Sequence, residues 1–390
     1  VYKVKISDKN FAVKIYNDSS KVDWSKLTIM TELSYESNYD FVKTHAWPVG
    51  LIQENGLNVG FAMPLFDLDL FSTVDHYYDN ILRGHISDKQ LLALPSLILI
   101  AKNLCFELEK FHETKIFLVD IKPQNIVVNT TTNEVVLLDC DGFSIEKDNQ
   151  IYPATLVSSD YIAPEVTINR TSPQKLGLAQ DLYGLSVLIF QLLNRGLHPY
   201  SGRFTSDIEA TTNDDKATLG KYAYGTLESS EVTAHVASLH TMWASSIVET
   251  FENCFTGGAR ASASEWSSLF DDIERGKGYK RCDKFPNDAL HIRFKDKHCM
   301  QCRLDSLQVT HPPKTSPSEK TQAENPLTPP RAPPKKDNST FWVYFLIAAI
   351  AFLIIIGNLD KQSISSSSGS TVSQDVAAHI CTSMNPNSCT

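Results

Sequence analysis

The opening stretch Val1–Tyr16, VYKVKISDKNFAVKIY, alternates apolar and polar residues on either side of Asp8–Asn10. A period of two around a turn predicts a β-hairpin. In KLTIMTELSYES, the residues Leu27, Met30 and Leu33 recur at helical spacing, so a helix is predicted that also carries Glu32 and Glu36. Phe117–Val128, FLVDIKPQNIVV, sets two apolar segments around a polar loop, and a later apolar strand, VVLL, runs straight into Asp139-Cys140-Asp141-Gly142. Mixed strand and helix patterns of this kind continue through residues 1–275 with no long structureless stretch. Residues 276–305 are short, basic and rich in Cys and His, and residues 306–340 are rich in Pro, Thr, Ser and Lys, which reads as an extended linker.

The run Phe341–Gly357, FWVYFLIAAIAFLIIIG, carries no charge. As a helix it rises about 25 Å, near the lower limit for crossing a bilayer core. Trp342 and Tyr344 stand at one end, where interfacial aromatics belong. Between a Pro-rich linker and a Ser-rich tail there is no core to enclose such a helix, so residues 341–358 are predicted to span a membrane. Arg331, Lys335 and Lys336 precede the span, whereas Asp360 and Lys361 follow it. The positive-inside bias then keeps the N-terminal side cytoplasmic and makes residues 359–390 a short, flexible extracytoplasmic tail of a single-pass inner-membrane protein.

The formal charge of −9 offers no basic face, so a nucleic-acid partner is not suggested. The sequence begins at Val1 without an apolar core of signal length, and it reads as a fragment or a processed chain. Of the eight cysteines, Cys381 and Cys389 fall in the exported tail, where a disulfide can form, while Cys105, Cys140 and Cys254 sit in apolar or strand-like contexts as buried free thiols.

Two groups of residues carry chemistry. Lys14 lies within the apolar strand FAVKIY, where a lysine needs a reason, and the helical carboxylate Glu32 could orient it towards phosphate oxygens. Asp120, Lys122 and Asn125 share one short loop, with Asp139 at the end of the following strand. This set suits phosphoryl transfer. Asp120 can accept a hydroxyl proton, Lys122 can neutralise the transferring phosphate, and Asn125 with Asp139 can hold Mg (or Mn). The second group is Cys282, His291, Cys299 and Cys302, spaced C-x8-H-x7-C-x2-C. Four such ligands suit a closed, structural Zn site, with His298 as the competing imidazole.

FAVKIY resembles the lysine strand of protein kinases, and LVDIKPQN resembles their catalytic loop. Asp139-Cys140-Asp141 stands where the metal-binding Asp-Phe-Gly usually stands, although Asp141-Gly142 offers a second register. Ala163-Pro164-Glu165 is similar to the motif closing the activation segment, and DLYGLSVLIFQLL to the buried helix after it. The resemblance implies that Asp181 ties down the catalytic-loop backbone and that Arg260 pairs with Glu165. In GFAMPLF it implies a hinge, with Met63 as gatekeeper and Leu65 beside it at the ATP site. The fold class implied is α+β: a bilobal protein-kinase-like fold with a small zinc-ribbon-like segment and one transmembrane helix. VYKV resembles the strand after the glycine-rich loop, so the N-lobe sheet is expected to lack its first strand and that loop through truncation.

There are departures from the family pattern. Leu118-Val119 replaces the usual His-Arg, which removes the ordinary partner of a phosphorylated activation loop, and Asp141 replaces a glycine. The whole arrangement is similar to eukaryote-like bacterial serine/threonine protein kinases. That implies ATP as phosphoryl donor, protein substrates, and partners such as a cognate phosphatase and a von Willebrand factor A-like protein. A pseudokinase scaffold at the membrane is the alternative that the departures allow, and a small-molecule kinase is a third.

Overall fold

Alternating residues build the first layer. In a computed structural model, which describes residues 1–6, 9–78, 92–205, 212–226 and 229–310, strands β1 (Tyr2–Ile6) and β2 (Lys9–Ile15) pair antiparallel. Helix α1 (Trp24–Leu33) follows, started by the Asp23 side chain accepting from the Lys26 amide. Strands β3 (Gly50–Glu54) and β4 (Leu57–Pro64) complete a four-stranded sheet of order β1-β2-β4-β3. Phe61, with Leu51 beside it, packs with Leu27, Met30 and Leu33 of α1, and Trp47 closes the layer by donating to the Met30 carbonyl, while Val13, Ile52 and Ala62 are buried on the other face of the sheet. The remaining strand of this half is the short β5 (Phe71–Thr73).

The second half is mostly helical. Helix α2 (Leu94–Glu113) buries Leu97, Ile98, Ala101, Leu104, Cys105, Leu108 and Phe111, a stripe at helical spacing. Then come β6 (Ile116–Phe117), β7 (Ile126–Asn129), β8 (Val135–Leu137), β9 (Ser144–Lys147) and β10 (Gln150–Tyr152). These pair as two small sheets, β5-β7-β8 and β10-β9-β6. The polar loops at 118–125 and 138–143 run between these strands. Helix α3 (Pro164–Ile168) leads to α4 (Leu178–Leu193), whose residues are buried on nearly every side, the mark of a central core helix. Gly184 lets α4 close on the loop before β7, because a Cβ there would meet the Ile121 Cβ at 3.1 Å.

Strand β11 (Arg203–Phe204), helix α5 (Asn213–Thr218) and strand β12 (Val232–Thr233) precede α6 (Ser245–Phe255) and α7 (Ala263–Arg275). Phe190, Tyr224, Trp243, Phe251, Phe255 and Trp266 form the aromatic heart of this lobe, with ring centroids 4.8–5.3 Å apart at the closest pairs. Lys102 of α2 bonds both Asp271 and Glu274 of α7 at 2.6 Å.

The chain ends its described part with β13 (Tyr279–Arg281), β14 (Ile292–Phe294) and α8 (Met300–Thr310). Phe294, Met300 and Leu304 join the same hydrophobic cluster as the helical lobe, so this segment packs on it. The linker anticipated from residue 306 is corrected here: α8 continues to Thr310, carried by the turn that buries Met300 and Leu304. Cys105, Cys140 and Cys254 are buried free thiols. The anticipated membrane span at 341–358, the tail with Cys381 and Cys389, and turn residue Asp8 lie outside the described residues. Among the described residues, no helix is long and apolar enough to cross a membrane.

Candidate active site

A buried carboxylate fixes the loop after β6. Asp181, in the first turn of α4, is fully buried and accepts from the Leu118 amide at 2.7 Å and the Val119 amide at 2.6 Å. His112 Nε2 lies 3.1 Å from the same carboxylate. Val119 has φ 62°, a left-handed conformation that a β-branched residue resists. The bond from its amide to Asp181 is what holds it there.

That bend delivers Asp120, Lys122 and Asn125 to a cleft of about 420 Å³, which Lys14, Asp139 and Asp141 also line. Lys122 Nζ donates to Asp120 Oδ2 at 2.6 Å and to Ser158 Oγ at 3.3 Å. Asn125 Nδ2 donates to the Asp120 carbonyl at 3.3 Å. The other oxygen of Asp120, Oδ1, is buried without a hydrogen-bond partner. A buried carboxylate oxygen left in this state is costly unless a donor comes to it. Asp120 itself lines the cleft.

The two carboxylates after β8 diverge in use. Cys140 between them is fully buried, its thiol 3.5 Å from the Leu137 carbonyl, and Asp139 takes a left-handed φ of 49°. Asp139 has a side chain 68% exposed, 3.5 Å from Lys14 Nζ. Asp141 is only 13% exposed and takes Lys14 Nζ on both oxygens at 2.9 Å, while Tyr16 Oη donates to it at 2.7 Å. Burial would lower the Lys14 pKa, but Asp141 and then Asp139 outweigh it and raise it. Burial and Asp141 together push the Tyr16 phenol up, so it stays a donor.

The Lys14–Glu32 pair is corrected by this geometry. Leu27, Met30 and Leu33 fix which face of α1 is buried, and Glu32, one position before Leu33, lies about 100° off that line, exposed and unpaired with Lys14. The residue that α1 sends into the cleft is Lys26, one turn before Met30. It is 4% exposed, and its Nζ donates to the Pro153 carbonyl at 3.1 Å. Burial lowers its pKa to about 8 against the opposing pull of Asp141 and Asp23. Lys26, Tyr16 and Asp141's pairing were missed from the sequence. Lys26, Met30 and Leu33 at i, i+4 and i+7 would have flagged the buried lysine, and Tyr16 shares a strand face with Lys14. Met63 pairs with Ala12 across β4 and β2 and packs on the core, yet neither it nor Leu65 lines the cleft that holds Lys14.

Below the cleft, Arg260 makes a two-pronged bond to Glu165 at 2.6 and 2.7 Å and stacks on Tyr183. Gln180 clamps the preceding segment, donating to the Tyr161 carbonyl and accepting from the Ala163 amide. His198 donates from Nε2 to the Asp160 carbonyl at 2.8 Å and accepts the Tyr200 amide on Nδ1 at 3.2 Å.

The second cluster is built by the terminal segment. The ligand atoms of Cys282, His291, Cys299 and Cys302 all lie within 4.8 Å of one another. His291 Nδ1 is 3.4 Å from Cys302 Sγ and 3.7 Å from Cys299 Sγ, and its Nε2 lies 3.3 Å from Asp305. A proton on Nε2 directed at a carboxylate leaves the Nδ1 lone pair towards the thiols, the usual arrangement of a metal-bound imidazole. Sγ atoms bound to one zinc ion sit about 3.8 Å apart, so this donor set fits the ion. Burial would raise the Cys282 thiol, but the Phe285 and Lys284 amides bring it down to about 7. His298 is exposed and stands apart from the four.

Two lobes, the cleft between them and a polar loop tied to a buried helix define a protein-kinase-like fold. Residues 1–232 match the family described as protein kinase domain. Protein kinase YegI of Escherichia coli (strain K12) is 24% identical over 225 residues, which is 55% of this chain and 34% of that protein. R436 of Acanthamoeba polyphaga mimivirus, named as a candidate serine/threonine-protein kinase, is 26% identical over 234 residues, covering 57% of this chain and 76% of its own. The MAP kinase kinase MKK1/SSP32 of Saccharomyces cerevisiae is 27% identical over 194 residues, 49% of this chain and 35% of that one. Among solved structures, a chain of the yeast RNA Pol II CTD kinase CTDK-1 complex aligns with a TM-score of 0.46 at 14% identity, over 67% of this chain and 84% of that one. The chain belongs to the protein kinase family. It spans about a third of the length of YegI.

Proposed function

We propose that the chain is a membrane-anchored serine/threonine protein kinase, transferring the ATP γ-phosphoryl group to hydroxyls of protein substrates with Asp120 as the base. One observation carries this reading: the buried, unpartnered Oδ1 of Asp120, in a loop whose other charged groups are already engaged. A substrate hydroxyl would donate to that oxygen, and Lys122, 2.6 Å away on Oδ2, would neutralise the group in transfer. Asn125 and the exposed Asp139 are hard oxygen donors suited to Mg (or Mn), which when bound neutralises phosphate oxygens. The Ala163–Glu165 segment and the Asp181 helix favour a protein over a small-molecule acceptor.

Cys282, His291, Cys299 and Cys302 would hold a structural zinc ion that replaces the core this short segment lacks. The uncharged run at 341–358 supports a single inner-membrane span with the kinase domain cytoplasmic and residues 359–390 outside. Protease protection of the tail in sealed vesicles tests that orientation. A phosphatase and a von Willebrand factor A-like protein are the partner classes to seek by co-purification.

The deciding experiment is transfer of label from γ-labelled ATP by the purified full chain, to itself and to a generic protein acceptor. Asp120→Asn should abolish transfer while nucleotide binding survives. Binding of magnesium ATP with no transfer by the wild type would favour the scaffold reading instead.

A further inference from the structure

The lysine of a phosphoryl-transfer cleft must be held in one place with its charge on, and a nearby carboxylate ordinarily does this. In this protein the helix facing the cleft brings no carboxylate to the lysine: its capping Asp23 lines the cleft but does not pair with Lys14. The buried face of α1 is set by Leu27, Met30 and Leu33, and the polar group it adds to the cleft is Lys26, a second cation. Rotating the helix to bring Glu32 inward would expose Met30 and Leu33, both fully buried. The apolar burial that such a turn would forfeit locks the helix in its present phase.

The carboxylate that does meet Lys14 comes from the loop after β8. Asp141 binds Nζ with both oxygens at 2.9 Å and receives Tyr16 Oη at 2.7 Å. Tyr16 is itself clamped: its ring lies edge-on to Trp24 at 5.8 Å and tilted against Phe61 at 6.1 Å. Asp139, two residues earlier, stays open to the cleft.

We propose that Asp141, oriented by Tyr16, is the positioning residue for Lys14, doing from the metal loop what the α1 carboxylate was expected to do. This rests on the kinase reading above. It divides the two carboxylates: Asp139 serves the metal, and Asp141 serves the lysine. It also couples Lys14 to the loop that carries Asp139, so movement of that loop releases the lysine directly, with no swing of α1 required.

The test reads Lys14 itself as well as turnover. In the purified full chain, the rate of Lys14 modification by acetic anhydride is followed against pH by mass spectrometry, alongside kcat and KM for ATP. Asp141→Asn should make Lys14 label severalfold faster at pH 9, because the amine loses the charge that keeps it protonated. Its KM for ATP should rise by about tenfold, with a smaller fall in kcat. Asp141→Glu should recover part of both. Tyr16→Phe should move both in the same direction by less, and it remains informative if Asp141→Asn folds poorly. Glu32→Gln should change neither. An unmoved Lys14 profile in Asp141→Asn, or a shifted one in Glu32→Gln, overturns the assignment. A wild type without phosphoryl transfer, but with the Asp141-dependent profile intact, overturns the kinase reading alone and leaves the pair standing.

Discussion

The floor of the cleft and its roof are held by different means. At the floor, Asp181 is wholly buried and bonds directly to backbone amides, so it dictates where residues 118 and 119 can lie. At the roof, the charges are side chains on a strand and a helix, and they choose partners by reach: Lys14 takes Asp141, the buried Lys26 takes a carbonyl, and Glu32 is left in solvent. A site defined by backbone contacts within one motif is specified locally. A site defined by a side chain on a helix depends on the rotational phase of that helix, which packing elsewhere decides.

The largest break in this comparison is Asp181→Ala. Two charge-assisted bonds at about 1.5–3 kcal/mol each disappear, and the strained Val119 backbone loses its restraint. We expect a loss of about 3–5 kcal/mol in denaturant unfolding, and with it the geometry of Asp120. If the melting curve is unchanged, the floor is not held as described. Next comes the terminal segment. Metal analysis should find about one zinc per chain, and Cys302→Ser should lose it. Chelation should then expose residues 276–310 to proteolysis before the helical lobe, because what ties them down is a small set of contacts: Phe294, Met300 and Leu304 in the core cluster, Tyr279 against it, and the bond from Arg303 to the Val236 carbonyl.

A smaller effect is set by acid. Burial holds His198 down to about 4 from an ordinary 6.5, partly offset by the Asp160 carbonyl. The unfolded chain therefore takes up a proton below pH 6.5 that the folded chain refuses until about 4. Stability must fall across that window, by about 3 kcal/mol in total. Asp214 opposes this. Burial, Asp160 and Asp215 push it up to about 6, so it returns stability as pH falls below that value. The clean readout is the difference between the wild type and His198→Gln, which should flatten between pH 6.5 and 4. Equal slopes would remove His198 from the account. The smallest effect expected is that of Glu32→Gln, within about 0.5 kcal/mol in stability, as for an exposed side chain without partners.

Much of the site could be read along the chain. Asp120, Lys122, Asn125 and Asp139 stand near one another in sequence, and the structure gathers them in one cleft. Cys282, His291, Cys299 and Cys302 were legible for the same reason, since two of them are held at fixed spacing on one turn. The spacing favours His291 over His298, and the strand pairing of β13 and β14, which brings the His291 carbonyl to the Cys282 amide at 2.8 Å, is what seats it among the thiols. Glu32 failed because a carboxylate on a helix is within reach of a strand lysine only from one face in three or four. Leu27, Met30 and Leu33 decide that face, and they turn the acid beside Leu33 to solvent.

The sequence by itself determined the order of strands and helices, the acidic and thiol clusters and the buried central helix. The clusters follow from residues close along the chain, where spacing alone sets geometry, and the buried helix from the resemblance of DLYGLSVLIFQLL to the one in protein kinases. Only the tertiary structure decided which carboxylate meets Lys14, that Lys26 enters the cleft, that Asp120 keeps one oxygen unpartnered, and that the thiol segment packs on the helical lobe. Those outcomes depend on how separately formed layers stack. Stacking is chosen by total apolar burial, a property of many residues at once and of no single motif.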